Sequence, residues 1–102
     1  MDAMLVLDIS GIELGYLKEK GWNGVQGVFN SRHPVKYTSE DEVGGVKLYR
    51  VGYEIGSTYR EDSFFEANGK LIEVYFYVKS GFDSASRIAE MRGVIDRGLR
   101  KL

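Results

Sequence analysis

The stretch LIEVYFYVK, residues 71–79, constrains the fold more than any other part of the sequence. Successive side chains of a β-strand point to opposite faces of its sheet. Here the alternation gives one fully apolar face, made of Ile72, Val74, Phe76 and Val78. The opposite face mixes apolar and charged side chains, namely Leu71, Glu73, Tyr75, Tyr77 and Lys79. The first face is typical of a core, and the second raises the question of what covers Tyr75 and Tyr77.

The C-terminal segment, residues 84–102, has the spacing of an amphipathic helix. Apolar residues recur at steps of three and four, at Ile88, Met91, Ile95, Leu99 and Leu102. Asp83 or Ser84 would cap its start. Its basic residues increase toward the C-terminal end, where the helix dipole favours positive charge. We expect this helix to cover the apolar face of the strand before it.

The N-terminal part predicts another helix, over residues 10–20. Ser10 and Glu13 form a capping box, and Gly21 suits the left-handed stop after the helix. The preceding MLVL is predicted to continue the helix or to be irregular, although a short strand is an alternative. VQGVF, residues 25–29, predicts a strand that ends before Pro34.

The middle of the chain predicts one further strand between two connections. Residues 35–45, VKYTSEDEVGG, start extended and become a polar loop with Glu40, Asp41 and Glu42. Residues 46–56, VKLYRVGYEIG, alternate like a strand, and residues 57–69 form a connection ending in the hairpin signal Asn68-Gly69. We therefore expect 46–56 and 70–79 to be antiparallel neighbours.

The element order predicts an α+β fold in a single domain, residues 1–102. The expected architecture is an antiparallel sheet of about four strands, with an N-terminal and a C-terminal helix packed on one face. Two helices on one face would leave the second face uncovered by its own chain, and a neighbouring subunit is its simplest expected cover.

Several kinds of chemistry lack the residues they need. The chain has no cysteine, which excludes disulfides and thiolate nucleophiles, and its only histidine, His33, has no third member of a triad nearby in sequence. The acidic run at 40–42 lacks the alternating spacing of a calcium loop. We expect no catalytic, cofactor or metal site. MDAMLVLDIS has an acid where a signal peptide needs bases, so we expect cytoplasmic synthesis and no membrane partner.

The aromatic face permits two interpretations. Tyr75 and Tyr77, with Tyr49 or Tyr53 beside them, could stack nucleic-acid bases. Such platforms need a basic groove, whereas the nearby charges largely cancel and the net charge is −1. Protein contact is therefore favoured, also because tyrosine and arginine are common in interfaces and plentiful here. Residues 36–66 are net acidic and 83–102 net basic, which taken alone is typical of an ordinary solvated surface. The candidate interface residues are Tyr49, Tyr53, Tyr75, Tyr77, Arg97, Arg100, Glu40, Asp41 and Glu42.

Several stretches resemble the tail-terminator and head–tail joining (neck) proteins of tailed bacteriophages. IELGYLKEKG is similar to the opening helix of that family, and GVFNSRHP and VGYEIG to its following strands. GKLIEVYFYVKSGFDSASRIAEMRGVIDRGL resembles its final unit, a long strand, a break of small residues and an amphipathic helix. The resemblance covers most of the chain.

The resemblance implies a structural, non-enzymatic subunit of a virion that is assembled in the host cytoplasm. Its partners would be further copies of itself in a ring, expected to be hexameric, other tail or neck proteins, and DNA held only non-specifically in the lumen. The alternative is a small protein-binding module, a viral accessory or inhibitor protein, acting through a groove or a sheet edge. A domain that binds RNA or single strands is a third possibility.

Overall fold

The computed structural model of the protein describes residues 3–8, 19–21, 23–24, 27, 33–67 and 70–101. These residues form five strands and a C-terminal helix. The strands are β1 (Ala3–Asp8), β2 (Val35–Val43), β3 (Val46–Ile55), β4 (Thr58–Ala67) and β5 (Lys70–Lys79), and the helix is α1 (Ser84–Leu99). The expected α+β class with an antiparallel sheet and a C-terminal helix is confirmed.

All neighbouring strands of the sheet are antiparallel, in the order β1-β5-β4-β3-β2. Strands β2 to β5 follow one another as hairpins. Gly44 and Gly45 join β2 to β3 and both have positive φ, 59° and 80°, which the tightest hairpin turns require. Gly56, with φ 61°, begins the turn from β3 to β4.

The predicted relation between β5 and the C-terminal helix is confirmed. Val74, Phe76 and Val78 of β5 lie in one buried cluster with Ile95 and Leu99 of α1. Ile88 and Met91 pack against the same cluster, as their helical spacing predicts. Asp83 is the N-cap residue, but its carboxylate accepts a hydrogen bond from Arg87 Nε at 2.8 Å rather than capping the backbone.

The prediction of a connection over 57–69 is wrong, because Thr58–Ala67 is the central strand β4. The charged Arg60, Glu61 and Asp62 lie in the middle of this strand and obscure its alternation. Residues 46–56 and 70–79 are consequently not neighbours, since β4 separates them. The described residues form a five-stranded sheet, where about four strands were predicted.

The polar loop predicted around the acidic run is also wrong. Glu40, Asp41 and Glu42 belong to the edge strand β2 and stand opposite β3 residues in a regular register. MLVL was predicted as helix or irregular chain, but Ala3–Asp8 is strand β1 and pairs with β5 from Ala3–Val78 to Asp8–Glu73. An edge strand that is charged or short shows little alternation of apolar and polar residues. Its structure is therefore decided by pairing with the rest of the sheet.

The second face of the sheet was expected to need a neighbouring subunit as cover. At its centre, Val51 and Phe64 are 0% and 1% exposed within the single chain, and Tyr53 is 5% exposed. The chain itself therefore buries the middle of this face, and that expectation is corrected.

Three sequence predictions concern residues that the structure mostly leaves undescribed. The first helix, 10–20, lies outside the described residues except at its last two positions, so an N-terminal helix packed on the sheet stays a prediction. Of the predicted strand VQGVF only Gly27 is described, and its backbone is helical. Asn68 and Gly69 are likewise undescribed, although the strands on either side pair up to Ala67 and Lys70.

Candidate interaction sites

Arg60 lies on the same face of the sheet as Tyr75 and Tyr77. It stands opposite Tyr77 in the pairing of β4 with β5. Its guanidinium carbon is 4.0 Å from the centroid of the Tyr75 ring and 5.3 Å from that of Tyr77. Its Nη1 donates a hydrogen bond of 2.8 Å to the Tyr77 hydroxyl. A cation of the same chain thus occupies the ring faces that would stack a base.

Two buried carboxylates hold Arg60 in that position. Nη2 of Arg60 lies 2.9 Å from Asp62 Oδ1 and 3.7 Å from Glu73 Oε1. Asp62 is fully buried and Glu73 is 7% exposed. Burial is the largest single influence and opposes the charge of Arg60, but the hydrogen bonds to Asp62 and the attraction of its carboxylate together outweigh burial and raise the pKa of the guanidinium. These five residues, Arg60, Asp62, Glu73, Tyr75 and Tyr77, form what we call the Arg60 cluster.

Tyr53 extends the Arg60 cluster onto β3, where it stands opposite Arg60. Its hydroxyl is hydrogen-bonded to Asp62. His33, just before β2, stacks on the Tyr53 ring with centroids 5.4 Å apart and planes inclined by 4°. With 5% exposure, Tyr53 offers almost no surface to a partner, and its contacts are those of a packed side chain.

A second buried ion pair joins α1 to the middle of the sheet. Arg92 of α1 donates to Glu61 of β4 through Nη2 to Oε1 at 2.6 Å and through Nε to Oε2 at 2.9 Å. Tyr59 donates its hydroxyl to Glu61 Oε1 at 2.6 Å, and the Arg92 guanidinium lies 4.0 Å from the Tyr37 ring centroid. Glu61 is fully buried, so this pair fixes the helix to the sheet.

Gly52 makes room for that arrangement. It lies opposite Glu61, and a Cβ at this position would be 2.0 Å from the Tyr59 hydroxyl oxygen. Any side chain here would displace the hydroxyl from Glu61. Gly52, the first glycine of VGYEIG, therefore allows close packing within a central strand.

Arg50 is the third arginine paired with carboxylates, and at 6% exposure it is buried more deeply than Arg60 and Arg92. Its Nη1 donates to Asp41 of β2 at 2.8 Å, and its Nη2 donates to Asp96 of α1. Ser39 and Ser63 flank it in register on the neighbouring strands. Among the described residues, the two serine hydroxyls and Arg50 Nε have no hydrogen-bond partner. Asp41 thus has a structural contact, which a solvated loop residue would lack.

The acidic run of β2 and the basic end of α1 do not lie at opposite ends of the molecule. Glu40 lies 3.3 Å from Lys47, and Asp41 pairs with Arg50, so the acidic run is partly neutralised by β3. The end of α1 lies over the β2–β3 turn, since a Cβ on Gly44 would be 3.0 Å from Arg100 Cα. The basic and acidic segments therefore meet at the same end of the molecule.

The opposite end of the sheet carries exposed apolar side chains. Phe82, between β5 and α1, is 104% exposed, and Ile55 at the end of β3 is 41% exposed. The two turns are joined by a hydrogen bond of 2.8 Å from Ser80 N to Ser57 O. We call this pair of residues, Ile55 and Phe82, the apolar end.

The sequence-predicted interface residues are thus dispersed. Tyr53 is buried; Tyr49, Tyr75 and Tyr77 are half-buried; Glu40, Asp41, Glu42, Arg97 and Arg100 are exposed. The sequence missed the residues that hold the clusters together, namely Arg60, Glu61, Asp62, Glu73 and Arg92. The sequence signal for these residues was TYREDSFFEA, in which charged residues lie between aromatic ones. This pattern is typical of a strand that is buried on both faces and whose charged side chains are paired.

Neither a metal-binding cluster nor a membrane-spanning helix is present in the described part of the chain. It contains no group of three or more His, Cys, Asp or Glu side chains placed to hold a metal ion. No helix within it has the length and hydropathy needed to cross a membrane.

The fold and its clusters define an α+β protein whose buried charges connect the strands to one another and to the helix. Comparison with family models, with curated proteins and with solved structures found no match to the chain.

Tyr53 and Tyr59, whose hydroxyls are hydrogen-bonded to buried carboxylates, should ionise only well above the ordinary range of a tyrosine. Burial and carboxylate acceptors raise the pKa of both well above the ordinary value of about 10. The tyrosinate absorbance of the folded protein at about pH 11 should therefore fall short of the value for the denatured chain with its seven tyrosines, because Tyr53 and Tyr59 stay protonated. Above about pH 10 the unfolded chain releases protons that the native state keeps, so stability should fall as the pH rises.

Tyr59→Phe is the control for this titration, because it removes one late-ionising group and keeps the ring. It should reduce the difference in tyrosinate absorbance between the folded and the denatured protein by one tyrosine. Simultaneous ionisation of all tyrosines near the ordinary value, with the circular dichroism of the fold intact, would contradict the proposed burial.

Proposed function

We propose that this protein is a non-enzymatic structural subunit of a tailed virus particle, a tail terminator or a head–tail joining protein. It acts by associating with further copies of itself in a ring, expected to be a hexamer, and with other tail or neck proteins. DNA passes through the lumen without sequence-specific contacts. The stretches that resemble this family support the proposal, above all 69–99, in which β5 is followed by α1.

The observation that carries self-association is the apolar end. Phe82 is completely exposed, and Ile55 lies at the adjoining turn. Aromatic side chains dominate the energetics of protein contacts when a partner buries them. A contact between this end of one copy and a different surface of the next is heterologous, and such contacts close into rings when the rotation allows.

The use of the buried charges is consistent with a structural role. Arg50, Arg60 and Arg92 are each engaged by carboxylates of the same chain. These pairs join the strands to one another and to the helix, and Arg60 covers the rings of Tyr75 and Tyr77 on which bases would stack. Contact with other proteins is therefore favoured over binding of single-stranded nucleic acid.

A second function is favoured by one specific feature, the outer edge of β2. In the described part of the chain, no strand pairs with that edge. A small binding module, such as a viral accessory or inhibitor protein, could add a partner's strand there. Recovery of one non-virion protein in a pull-down, with no mass above that of the monomer for the protein alone, would favour this module.

The Phe82→Ala variant tests the ring. Losing a central aromatic contact costs about 2 kcal/mol or more at each interface, roughly thirtyfold in affinity, so the hexamer should dissociate at micromolar concentration. Native mass spectrometry and light scattering, with and without tail tube protein, measure this. Val94→Ala is the matched control, because Val94 is 38% exposed on α1, away from the apolar end.

Two outcomes would contradict the ring proposal. The first is a wild-type protein that stays monomeric at high concentration and never joins particles. The second is a Phe82→Ala variant that assembles as well as Val94→Ala, which would remove the observation on which the proposal depends.

A further inference from the structure

The second face of the sheet, opposite α1, is buried more deeply than the described elements explain. Val51, at the centre of that face, is 0% exposed, and Phe64 is 1% exposed. The helix α1 packs on the other face, in one cluster with Val74 and Phe76. An uncovered sheet face leaves the outer side of its side chains in water, so burial of this depth requires a second layer.

We infer that the connection between β1 and β2, residues 9–34, crosses the second face and supplies this layer. β1 ends at Asp8 and β2 begins at Val35, at opposite edges of the sheet. Crossing four strand spacings of about 4.8 Å takes roughly 19 Å. The connection has about twice the dozen residues that a crossover needs. The inference concerns the fold of one copy, so it does not depend on the function proposed above.

The handedness of the connection determines which face it covers. Every neighbouring pair in the five-stranded sheet is antiparallel, so β1 and β2 run in the same direction. A connection between two such strands is a crossover, and crossovers are right-handed in almost all proteins. With the strands vertical and a right-handed connection in front of them, the chain moves to the right from the first strand to the second.

The turn between β2 and β3 gives the left-to-right order of the strands. Gly44 and Gly45 form a two-residue turn, so Val43 directs its N–H and C=O toward β3. The side chain of Val43 lies on the α1 face, in one cluster with Leu99. In an upward strand of L-residues, a residue whose side chain points to the viewer has its N–H and C=O on the right.

Seen from α1, β3 therefore lies to the right of β2, and β1 is the rightmost strand. Seen from the opposite side, β2 lies to the right of β1. A right-handed connection from β1 to β2 consequently covers the second face, which is the face on which Val51 and Phe64 are buried.

The end of the connection lies on this same side. His33 comes two residues before β2, and its ring stacks on Tyr53 with centroids 5.4 Å apart. Tyr53 and Val51 are two positions apart in β3, so they share one face of the sheet. The chain therefore already lies over the second face where it enters β2.

The sequence of the connection suits a covering layer. The predicted helix over 10–20 has an apolar side that includes Ile12 and Leu17. Glu19 and Lys20, at the end of that stretch, have helical backbone and are exposed. An apolar side and a solvated side are what a layer between an apolar sheet face and water requires.

A second covering layer restricts where other proteins can bind. Val51 and Phe64 belong to the core of the single chain, so a partner cannot use the middle of the second face. The ends and edges of the sheet stay accessible, and the apolar end, Ile55 and Phe82, is exposed.

A nitroxide label on Lys20→Cys tests which face the connection covers. The chain has no cysteine of its own, so the label is unique. Layers pack roughly 10 Å apart, which puts the label one layer from Val51 and two layers from Val94 on α1. Paramagnetic broadening falls steeply with distance. The methyl signals of Val51 should therefore lose most of their intensity, and those of Val94 should keep it.

Two results of the label experiment overturn the inference. Attenuation of Val94 with Val51 intact would mean that the connection lies over α1. The second result comes from mixing spin-labelled chains with isotope-labelled chains that carry no nitroxide. Attenuation of Val51 in this mixture to the same extent as within one chain would mean that a neighbouring copy covers the face.

Loosening the connection should expose the second face and leave the other face protected. Leu17→Ala removes an apolar side chain from the predicted helix. In that background the thiol introduced by Val51→Cys should react with a soluble thiol reagent about tenfold faster, and that introduced by Val74→Cys at an unchanged rate. Equal acceleration at both positions overturns the inference. The label experiment leaves the buried residues unchanged and decides the question if Leu17→Ala does not fold.

These results are separable from those that test the ring. A monomeric protein with Val51 attenuated within one chain supports the inference and contradicts the ring. A hexamer in which Val94 is attenuated and Val51 is not retains the ring and overturns the inference.

Discussion

Replacing Arg60 by alanine should lower the free energy of unfolding by about 3–5 kcal/mol, the usual cost of removing one partner of a buried ion pair. The variant leaves Asp62 fully buried and Glu73 nearly so, both without their cation. It also uncovers the Tyr75 ring. Small domains have a total stability of about 5–15 kcal/mol, so this loss should be clear in urea unfolding followed by circular dichroism.

Arg60→Lys separates charge from geometry. Lysine keeps the positive charge but cannot give the forked contact to Asp62 or lie flat on the Tyr75 ring, so its loss of stability should be smaller than that of alanine. Arg87→Ala is the surface control, because the pair with Asp83 is between exposed side chains and should contribute little. An Arg60→Ala variant as stable as Arg87→Ala would contradict the structural role of the cluster.

Replacing Arg92 by alanine should have a similarly large effect, about 3–5 kcal/mol. It leaves Glu61 with no exposure to water and, among the described residues, with only the Tyr59 hydroxyl as a partner. The helix also loses the bidentate contact that joins it to β4. Urea unfolding measures the loss.

The reverse replacement, Glu61→Ala, should cost less than Arg92→Ala. The side chain of Arg92 is 27% exposed and can turn into water, whereas Glu61 cannot. The double variant should be more stable than Arg92→Ala alone, because no charge is left buried. Equal losses for the two single variants, simply added in the double variant, would show that the pair is not coupled.

The parts of the fold that sequence reasoning predicted are those in which one face is apolar. The alternation of β5 and the helical spacing of 84–99 both depend on local periodicity, and the structure packs Val74, Phe76 and Ile95 as that periodicity requires. Strand β4 was missed because Arg60, Glu61 and Asp62 interrupt the alternation, and their partners Tyr77, Arg92 and Tyr53 are distant in sequence.

The candidate sites, like the strands, were predicted only as far as local sequence patterns indicate them. Sequence reasoning identified Tyr75 and Tyr77 as a surface that something must cover, but proposed a neighbouring protein. The structure places Arg60 there, one strand away. The acidic run was treated as a solvated loop, whereas Asp41 contacts a buried arginine and Glu40 a lysine of β3. These contacts depend on strand register, which short-range patterns do not specify.

By itself, the sequence determined that this is an α+β chain with one apolar strand beneath an amphipathic C-terminal helix, because apolar periodicity is local and burial follows from it. Only the tertiary structure decided the strand order, the central position of β4, and which carboxylate accompanies each arginine. A charged side chain can be buried only beside its partner, and pairing of the strands determines which residue that partner is.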